Sequence, residues 1–216
     1  MKKIDLLLAE KLLKISAIKL QPDSPFTWAS GWNSPIYTDN RLTLSYPEVR
    51  NFIKVELSRL ILENFGEAEG VAGVATGAIA QGALVADTLG KPMVYVRSAP
   101  KDHGLENLIE GNIKPGQKVV VVEDLVSTGK SSLKAVEALR MAGADVVGMV
   151  AIFTYEFPQA VEAFEKAGVE LVTLIGYSAM IKAAVETKYI KASDEAQLQL
   201  WREDPENWTP AVVNID

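Results

Sequence analysis

Apolar residues recur along this chain in two rhythms, and the switch between them divides it. From Met1 to Ile15 the order MKKIDLLLAEKLLKI keeps leucine and isoleucine on one side of a helix, with Asp5, Glu10 and Lys11 breaking the apolar run at helical spacing. No small-residue cleavage site follows the two opening lysines, so the stretch reads as an amphipathic helix rather than a secretion leader. From Gln21 to Tyr46 the rhythm is lost: Pro22, Pro25, Gly31 and Pro35 alternate with Phe26, Trp28, Trp32 and Tyr37. A connection that long and that aromatic is rarely idle. Helical spacing returns over Pro47–Glu63, through Val49, Phe52, Ile53, Leu57, Leu60 and Ile61, with Pro47 at a favourable helix start.

Beyond that helix, short continuous apolar runs alternate with amphipathic ones. The pattern predicts strand Gly70–Thr76, helix Ala78–Leu89, strand Pro92–Arg97, loop Ser98–Gly116, strand Lys118–Glu123, helix Lys130–Ala142, strand Val146–Phe153, helix Gln159–Lys166 and strand Glu170–Leu174. Strands that are β-branched and apolar throughout belong in a parallel sheet covered on both faces. The expected fold is therefore α/β, an open and mainly parallel sheet of five strands flanked by helices, with ligands at the carboxyl ends of the strands. Residues 1–65 form an N-terminal helix, an irregular cap and a lead-in helix, and residues 66–216 form the core with a helical tail, the whole a single compact unit. The tail, from Tyr177 to Asp216, is expected to add two short helices and a Pro- and Trp-bearing end packed on the surface.

Composition narrows the chemistry. With 216 residues, 48% of them hydrophobic, the chain can bury one core without staples. No apolar run reaches the roughly 18 residues of a membrane helix, and a cytoplasmic location is expected. The absence of cysteine rules out disulfides, thiolate nucleophiles and Cys-ligated zinc, and a single histidine rules out a His-based metal cluster. A formal charge of −6 argues against a broad phosphate-tracking surface for nucleic acid. A small anion held by a local loop remains compatible.

One stretch concentrates the candidate chemistry: Val119 to Ser132, VVVVEDLVSTGKSS. Its end resembles a Walker loop, but position 124, where the first glycine would stand, is Asp, and the backbone cradle of an ATP site is missing. What remains is an apolar strand, the adjacent carboxylates Glu123 and Asp124, then Ser127, Thr128 and Gly129 at a helix entrance. Unpaired amides and hydroxyls there make an anion site. Carboxylates directly upstream would repel a phosphate unless sugar hydroxyls or Mg²⁺ intervened, which describes a ribose 5-phosphate. The plainer alternative is Ser127 as an N-cap beside two solvated acids.

These residues resemble the phosphoribosyl diphosphate (PRPP) signature of type I phosphoribosyltransferases. Two further stretches resemble the orotate phosphoribosyltransferases within that family: Arg97-Ser-Ala-Pro-Lys-Asp-His-Gly104, similar to their mobile loop, and Phe26 through Arg41, FTWASGWNSPIYTDNR, similar to their N-terminal hood. The resemblance spans nearly the whole chain. It implies a type I phosphoribosyltransferase fold with an N-terminal hood, and Mg-dependent transfer of a 5-phosphoribosyl group from PRPP to N1 of orotate in pyrimidine synthesis.

On that resemblance Glu123 and Asp124 hold the ribose hydroxyls and Ser127, Thr128, Gly129, Lys130 and Ser131 the 5-phosphate, with Leu125 and Val126 also among the PRPP-binding residues. Arg97, Lys101 and His103 neutralise the leaving diphosphate, with Thr76 and Gly77 presenting amides to it. Lys101, His103 and Asp124 form the catalytic set, and Ser127, Ser30, Gly31 and Tyr37 meet orotate. Mg²⁺ rides on PRPP, with no direct protein ligand. The partners are PRPP and orotate, without nucleic acid or membrane, and a homodimer is implied in which loop 98–112 reaches the neighbouring subunit's site.

The motifs also depart from the family pattern. Ala29, Ser98 and Thr76-Gly77 stand where many members carry basic residues, and Phe153-Thr-Tyr-Glu156 lacks an arginine that some use against orotate. Backbone amides are expected to take over part of the binding. Arg41 has two readings, a carboxylate contact or a brace to Asp39 or Glu48. The competing functions are a purine phosphoribosyltransferase, which would not need the hood, and a PRPP-sensing regulator, for which the acidic chain offers no recognition helix.

Overall fold

The computed structural model describes residues 3–28, 31–99 and 108–209. Its centre is a six-stranded sheet made of β5 (Gly70–Val74), β6 (Met93–Val96), β7 (Ile109–Glu110), β8 (Lys118–Val126), β9 (Asp145–Thr154) and β10 (Leu171–Gly176). Their order is β10-β9-β8-β5-β6-β7, and all neighbours are parallel except β6 and β7. The five expected strands are all present. The sixth, β7, lies inside what the pattern reads as loop Ser98–Gly116; two residues are too few to carry a period.

Valine supplies the core. Val119 to Val122 are each 2% exposed or less, as required of a central strand covered on both sides. Helices α3 (Ile79–Leu89), α4 (Lys130–Met141) and α5 (Pro158–Ala167) connect the parallel strands. The chain moves outward from β5 to β6 in one direction and from β8 through β9 to β10 in the other, so strand order reverses between β5 and β8. Right-handed crossovers running in opposite directions put their helices on opposite faces, leaving a crevice at the reversal.

The N-terminal 65 residues cover this frame. Helix α1 (Lys3–Lys14) packs on α6 (Tyr177–Glu186), and α2 (Pro47–Asn64) packs on α3 and β9. Between them lie two small antiparallel pairs, β1 (Ile18–Leu20) with β4 (Ile36–Thr38) and β2 (Phe26–Thr27) with β3 (Asn33–Ser34), then a 3-10 helix, Asn40–Ser45. The segment without periodicity is thus ordered through short pairings and aromatic contacts.

Helix α7 (Glu195–Glu203), the second helix expected in the tail, is anchored by Trp201, which is fully buried with its ring 5.5 Å from that of Trp28, 5.7 Å from Tyr155 and 5.4 Å from Phe157. The indole N–H donates to the carbonyl of Asn33 at 3.0 Å, which joins tail to hood. The last helix therefore helps to hold the hood against the core.

Candidate active site

The register of β8 opens the site. Its pairing with β5 ends at Gly73↔Val122, while its pairing with β9 continues to Val126↔Thr154. From Glu123 onward β8 has one neighbour only, since β5 has turned into the 75–77 turn ahead of α3. The acid pair thus belongs to the strand itself rather than to the turn after it. A cavity of about 410 Å³ sits there, lined by Thr38 to Arg41, Val74 to Gly77, Glu123 to Leu125, Ser127 to Gly129 and Ser131.

The two acids differ. Glu123 is 4% exposed; its Oε2 accepts from Ser132 Oγ and its Oε1 from the amide of Asp124, both at 2.9 Å. Burial, reinforced by the charge of Asp124, raises its carboxyl well above the usual range. Asp124 is half-buried, and burial raises its carboxyl too, against the opposing pull of its hydrogen bonds and of Arg41. An inward acid whose charged form burial disfavours, beside a less buried one bordering the cavity, makes a better ribose site than two fully solvated charges beside a phosphate. Neither acid is solvated in the way the plainer sequence alternative requires.

The 75–77 turn is shaped to Asp124. A Cβ on Gly77 would stand 2.2 Å from Asp124 Oδ2, so only glycine lets the turn close over the carboxyl. On the other side the amide of Ala75 donates to the carbonyl of Val96 at 2.8 Å, and the Ala75–Thr76 peptide is cis. Gly129 is the N-cap of α4 at φ +79°, with no side-chain cap. Ser127 is therefore not the N-cap, and its hydroxyl, with Thr128 and Ser131, lines the cavity at a helix N-terminus.

Other candidates fall elsewhere. Val126 has a fully buried side chain and a carbonyl that accepts from Tyr155, and it lies outside the cavity lining. Lys130 opens α4 on an exposed position outside the cavity lining. Arg97, just past β6, has its amide on the carbonyl of Leu108 at 2.6 Å and its guanidinium 3.6 Å from Glu110, so it belongs to the β6–β7 hairpin as the chain stands. Gly31 turns the β2–β3 hairpin at φ +89°, and Tyr37 on β4 is 40% exposed against Phe26. Neither lines the cavity, although Tyr37 directly precedes its Thr38 wall. Lys101, His103 and Ser30 lie outside the described residues.

Arg41 takes the second of its two readings. It makes a forked contact to Asp39, Nε to Oδ1 at 2.7 Å and Nη2 to Oδ2 at 3.0 Å, while Glu48 pairs with Lys11. That hydrogen-bonded guanidinium holds the Asp39 carboxyl below its usual range. Sequence reasoning missed Asn40, whose Nδ2 donates to the carbonyl of Asp124 at 2.6 Å. The polar run Thr38-Asp39-Asn40-Arg41 at the end of an apolar strand was the available signal.

A parallel sheet with an acid pair at its switch point, facing a hydroxyl-lined helix N-terminus, defines a class of enzymes that handle sugar phosphates. Comparison agrees: the model of the phosphoribosyl transferase domain matches residues 55–191. An orotate phosphoribosyltransferase of Bacteroides thetaiotaomicron is 66% identical over 96% of this chain and 98% of its own length. The solved orotate phosphoribosyltransferase of Aeropyrum pernix superposes with a TM-score of 0.75 at 30% identity, covering 85% of this chain and 99% of that one. That of Mycobacterium tuberculosis, solved with PRPP, superposes with a TM-score of 0.64 at 27% identity over 82% of this chain and 98% of its own. The chain belongs to the orotate phosphoribosyltransferase family. Among the described residues no helix is long and apolar enough to cross a membrane.

Proposed function

We propose that the chain transfers the 5-phosphoribosyl group of PRPP to N1 of orotate, giving orotidine 5′-phosphate and diphosphate, as a step of pyrimidine synthesis in the cytoplasm. The observation that carries this reading is the Asp124 carboxyl facing the cavity from the switch point, opposite the Ser127–Ser131 helix entrance. The relative solved with PRPP supports the same ligand for this fold.

Asp124 accepts from the ribose hydroxyls, and Glu123, buried beneath it, fixes its amide and the α4 entrance through Ser132. Leu125 borders the sugar. Amides and hydroxyls of Ser127 to Ser131 hold the 5-phosphate at the positive end of α4. Thr76 and Gly77 offer amides to the diphosphate.

As the C1–O bond breaks, positive charge grows on the ribose ring beside Asp124 and negative charge on the departing diphosphate. Arg97, Lys101 and His103 neutralise that diphosphate, while N1 of orotate forms the new bond to C1 and gives up its proton. No covalent nucleophile is needed, because preorganised charges facing a dissociating bond lower its barrier. Ser30, Gly31, Tyr37 and Ser127 orient the base under the hood.

The described residues contain no group of three or more acidic or His side chains able to hold a metal. Asp124 offers oxygen donors that suit a hard cation through water, consistent with Mg²⁺ carried by PRPP. Mg²⁺ would supply charge neutralisation on the diphosphate. A homodimer in which loop 98–112 serves the neighbouring site completes the proposal.

The test is initial-rate kinetics with varied PRPP. Lys101→Ala is expected to lose at least about 100-fold in kcat, as for a transition-state donor. A full rate in that variant would reject the role given to the loop.

A further inference from the structure

The cavity wall nearest the acid pair carries a buried side chain that the roles above leave unused. Asn40, first residue of the 3-10 helix, is 3% exposed and lines the cavity. Its Nδ2 donates to the carbonyl of Asp124, 84 positions along the chain. A carbonyl only accepts, so this bond fixes which way the amide faces and leaves Oδ1 as an acceptor. Among the described residues Oδ1 is buried with no hydrogen-bond partner. Buried amide oxygens are seldom left unpaired in folded proteins, and one that borders a ligand cavity invites a donor from the ligand.

Asn40 is held from behind. Its own carbonyl accepts from Thr43 Oγ1 at 2.6 Å, and Thr43 Oγ1 accepts from Gln81 Nε2 at 3.3 Å. Thr43 is fully buried, Gln81 is 1% exposed, and neither lines the cavity. Gln81 stands in the first turn of α3, just past the 75–77 turn. A buried chain of hydrogen bonds therefore ties together the hood wall, the α3 entrance and the acid-bearing end of β8. Networks of this kind set side-chain geometry before a ligand arrives.

Ligand chemistry selects the donor. Phosphate oxygens accept only, so neither the 5-phosphate nor the diphosphate can satisfy Oδ1; the available donors are ribose hydroxyls, ring N–H groups of the base and metal-bound water. Glu123 already spends both oxygens on Ser132 and the Asp124 amide. Asp124 is the less buried carboxyl of the pair, and a second acceptor that is uncharged takes a hydroxyl without adding repulsion toward the phosphate.

We propose that Asn40 is a ligand-binding and positioning residue: Nδ2 fixes the Asp124 peptide, and Oδ1 accepts a hydrogen bond from a ribose hydroxyl of the phosphoribosyl group. This rests on the proposed function above.

Calorimetry with three probes tests it: ribose 5-phosphate, diphosphate with Mg²⁺, and orotate. Asn40→Ala is expected to weaken ribose 5-phosphate about 3- to 10-fold, the size of one hydrogen bond, and to leave the other two within about two-fold. Thr43→Val, behind the wall, is expected to lower Tm without changing the ratio of ribose 5-phosphate to diphosphate affinity. Equal weakening of all probes, or none, would overturn the binding role; weakening confined to Mg²⁺-diphosphate or to orotate would overturn the ribose assignment. Should the variants fail to fold, NMR of the wild-type chain decides: the Asn40 side-chain amide is expected to shift with ribose 5-phosphate and stay in place with diphosphate, and the opposite pattern overturns the proposal. Wild-type turnover of orotate alongside unchanged Asn40→Ala affinities would sink this inference alone, whereas loss of orotate turnover would sink the functional reading beneath it.

Discussion

Gly77→Ala is the smallest change that should disable the ribose site. The added Cβ would stand 2.2 Å from Oδ2, 2.4 Å from Cγ and 2.5 Å from Oδ1 of Asp124, each more than about 1 Å inside a comfortable contact. Because all three carboxyl atoms are too close, rotating the carboxylate in place does not relieve the overlap; the side chain must swing away or the turn must lift. Gly77 has no positive φ, so alanine carries no backbone strain of its own. Losing a charge-assisted hydrogen bond to ribose costs about 1.5–3 kcal/mol, or roughly 10- to 150-fold in kcat/KM for PRPP. The assay is the initial rate of orotate consumption with varied PRPP, run as a double-mutant cycle with Asp124→Ala. In that background the carboxylate is gone, and Gly77→Ala should add no more than about 0.5 kcal/mol. A Gly77→Ala enzyme within about two-fold of wild type, or the same loss with and without the carboxylate, would refute the reasoning.

Substitutions at three other positions probe the frame and the charges. Glu123→Gln should flatten the pH dependence of stability. Burial raises the carboxyl, so the folded chain keeps a proton that the unfolded chain has lost; wild-type stability is therefore fullest below the ordinary value near 4.5 and falls as pH rises through the folded value. Urea melts between about pH 5 and pH 8 should show the variant gaining on wild type, and a widening wild-type advantage would be the wrong sign. Trp201→Ala empties a fully buried site and should cost about 3–5 kcal/mol, read as a large drop in Tm, while Trp201→Phe, which keeps an aromatic ring there but loses the bond to Asn33, should cost less, by an amount nearer 1 kcal/mol. Gly148→Ala would put a Cβ 2.3 Å from the Phe65 ring and should cost about 1–3 kcal/mol by overpacking, with kcat unchanged.

The parallel core was legible because its signal is local: valine runs and amphipathic helices each declare themselves within a dozen residues. The acid pair and the hydroxyl-bearing turn were legible for the same reason, lying in one stretch from Glu123 to Ser131. What escaped depends on partners far away in the chain. Asn40 reads as one more hood residue until Asp124, 84 positions on, comes to rest against it. Nothing local marks Trp201 as a core residue, and its burial depends on Trp28 and Tyr155 closing around it. The strand reads as ending at Glu123, whereas pairing with β9 carries it three residues further, to Val126. The contact of Arg97 to Glu110 depends on β7, a strand too short to leave a pattern.

The central claim is that the Asp124 cavity binds PRPP and passes its phosphoribosyl group to orotate. Its most direct test is the ultraviolet absorbance of orotate after PRPP and Mg²⁺ are added to the wild-type chain. The account expects the absorbance to fall, and to hold steady when Mg²⁺ is chelated or Asp124 is replaced by alanine. Steady orotate absorbance with the complete mixture, accompanied by turnover of adenine or hypoxanthine, would contradict it.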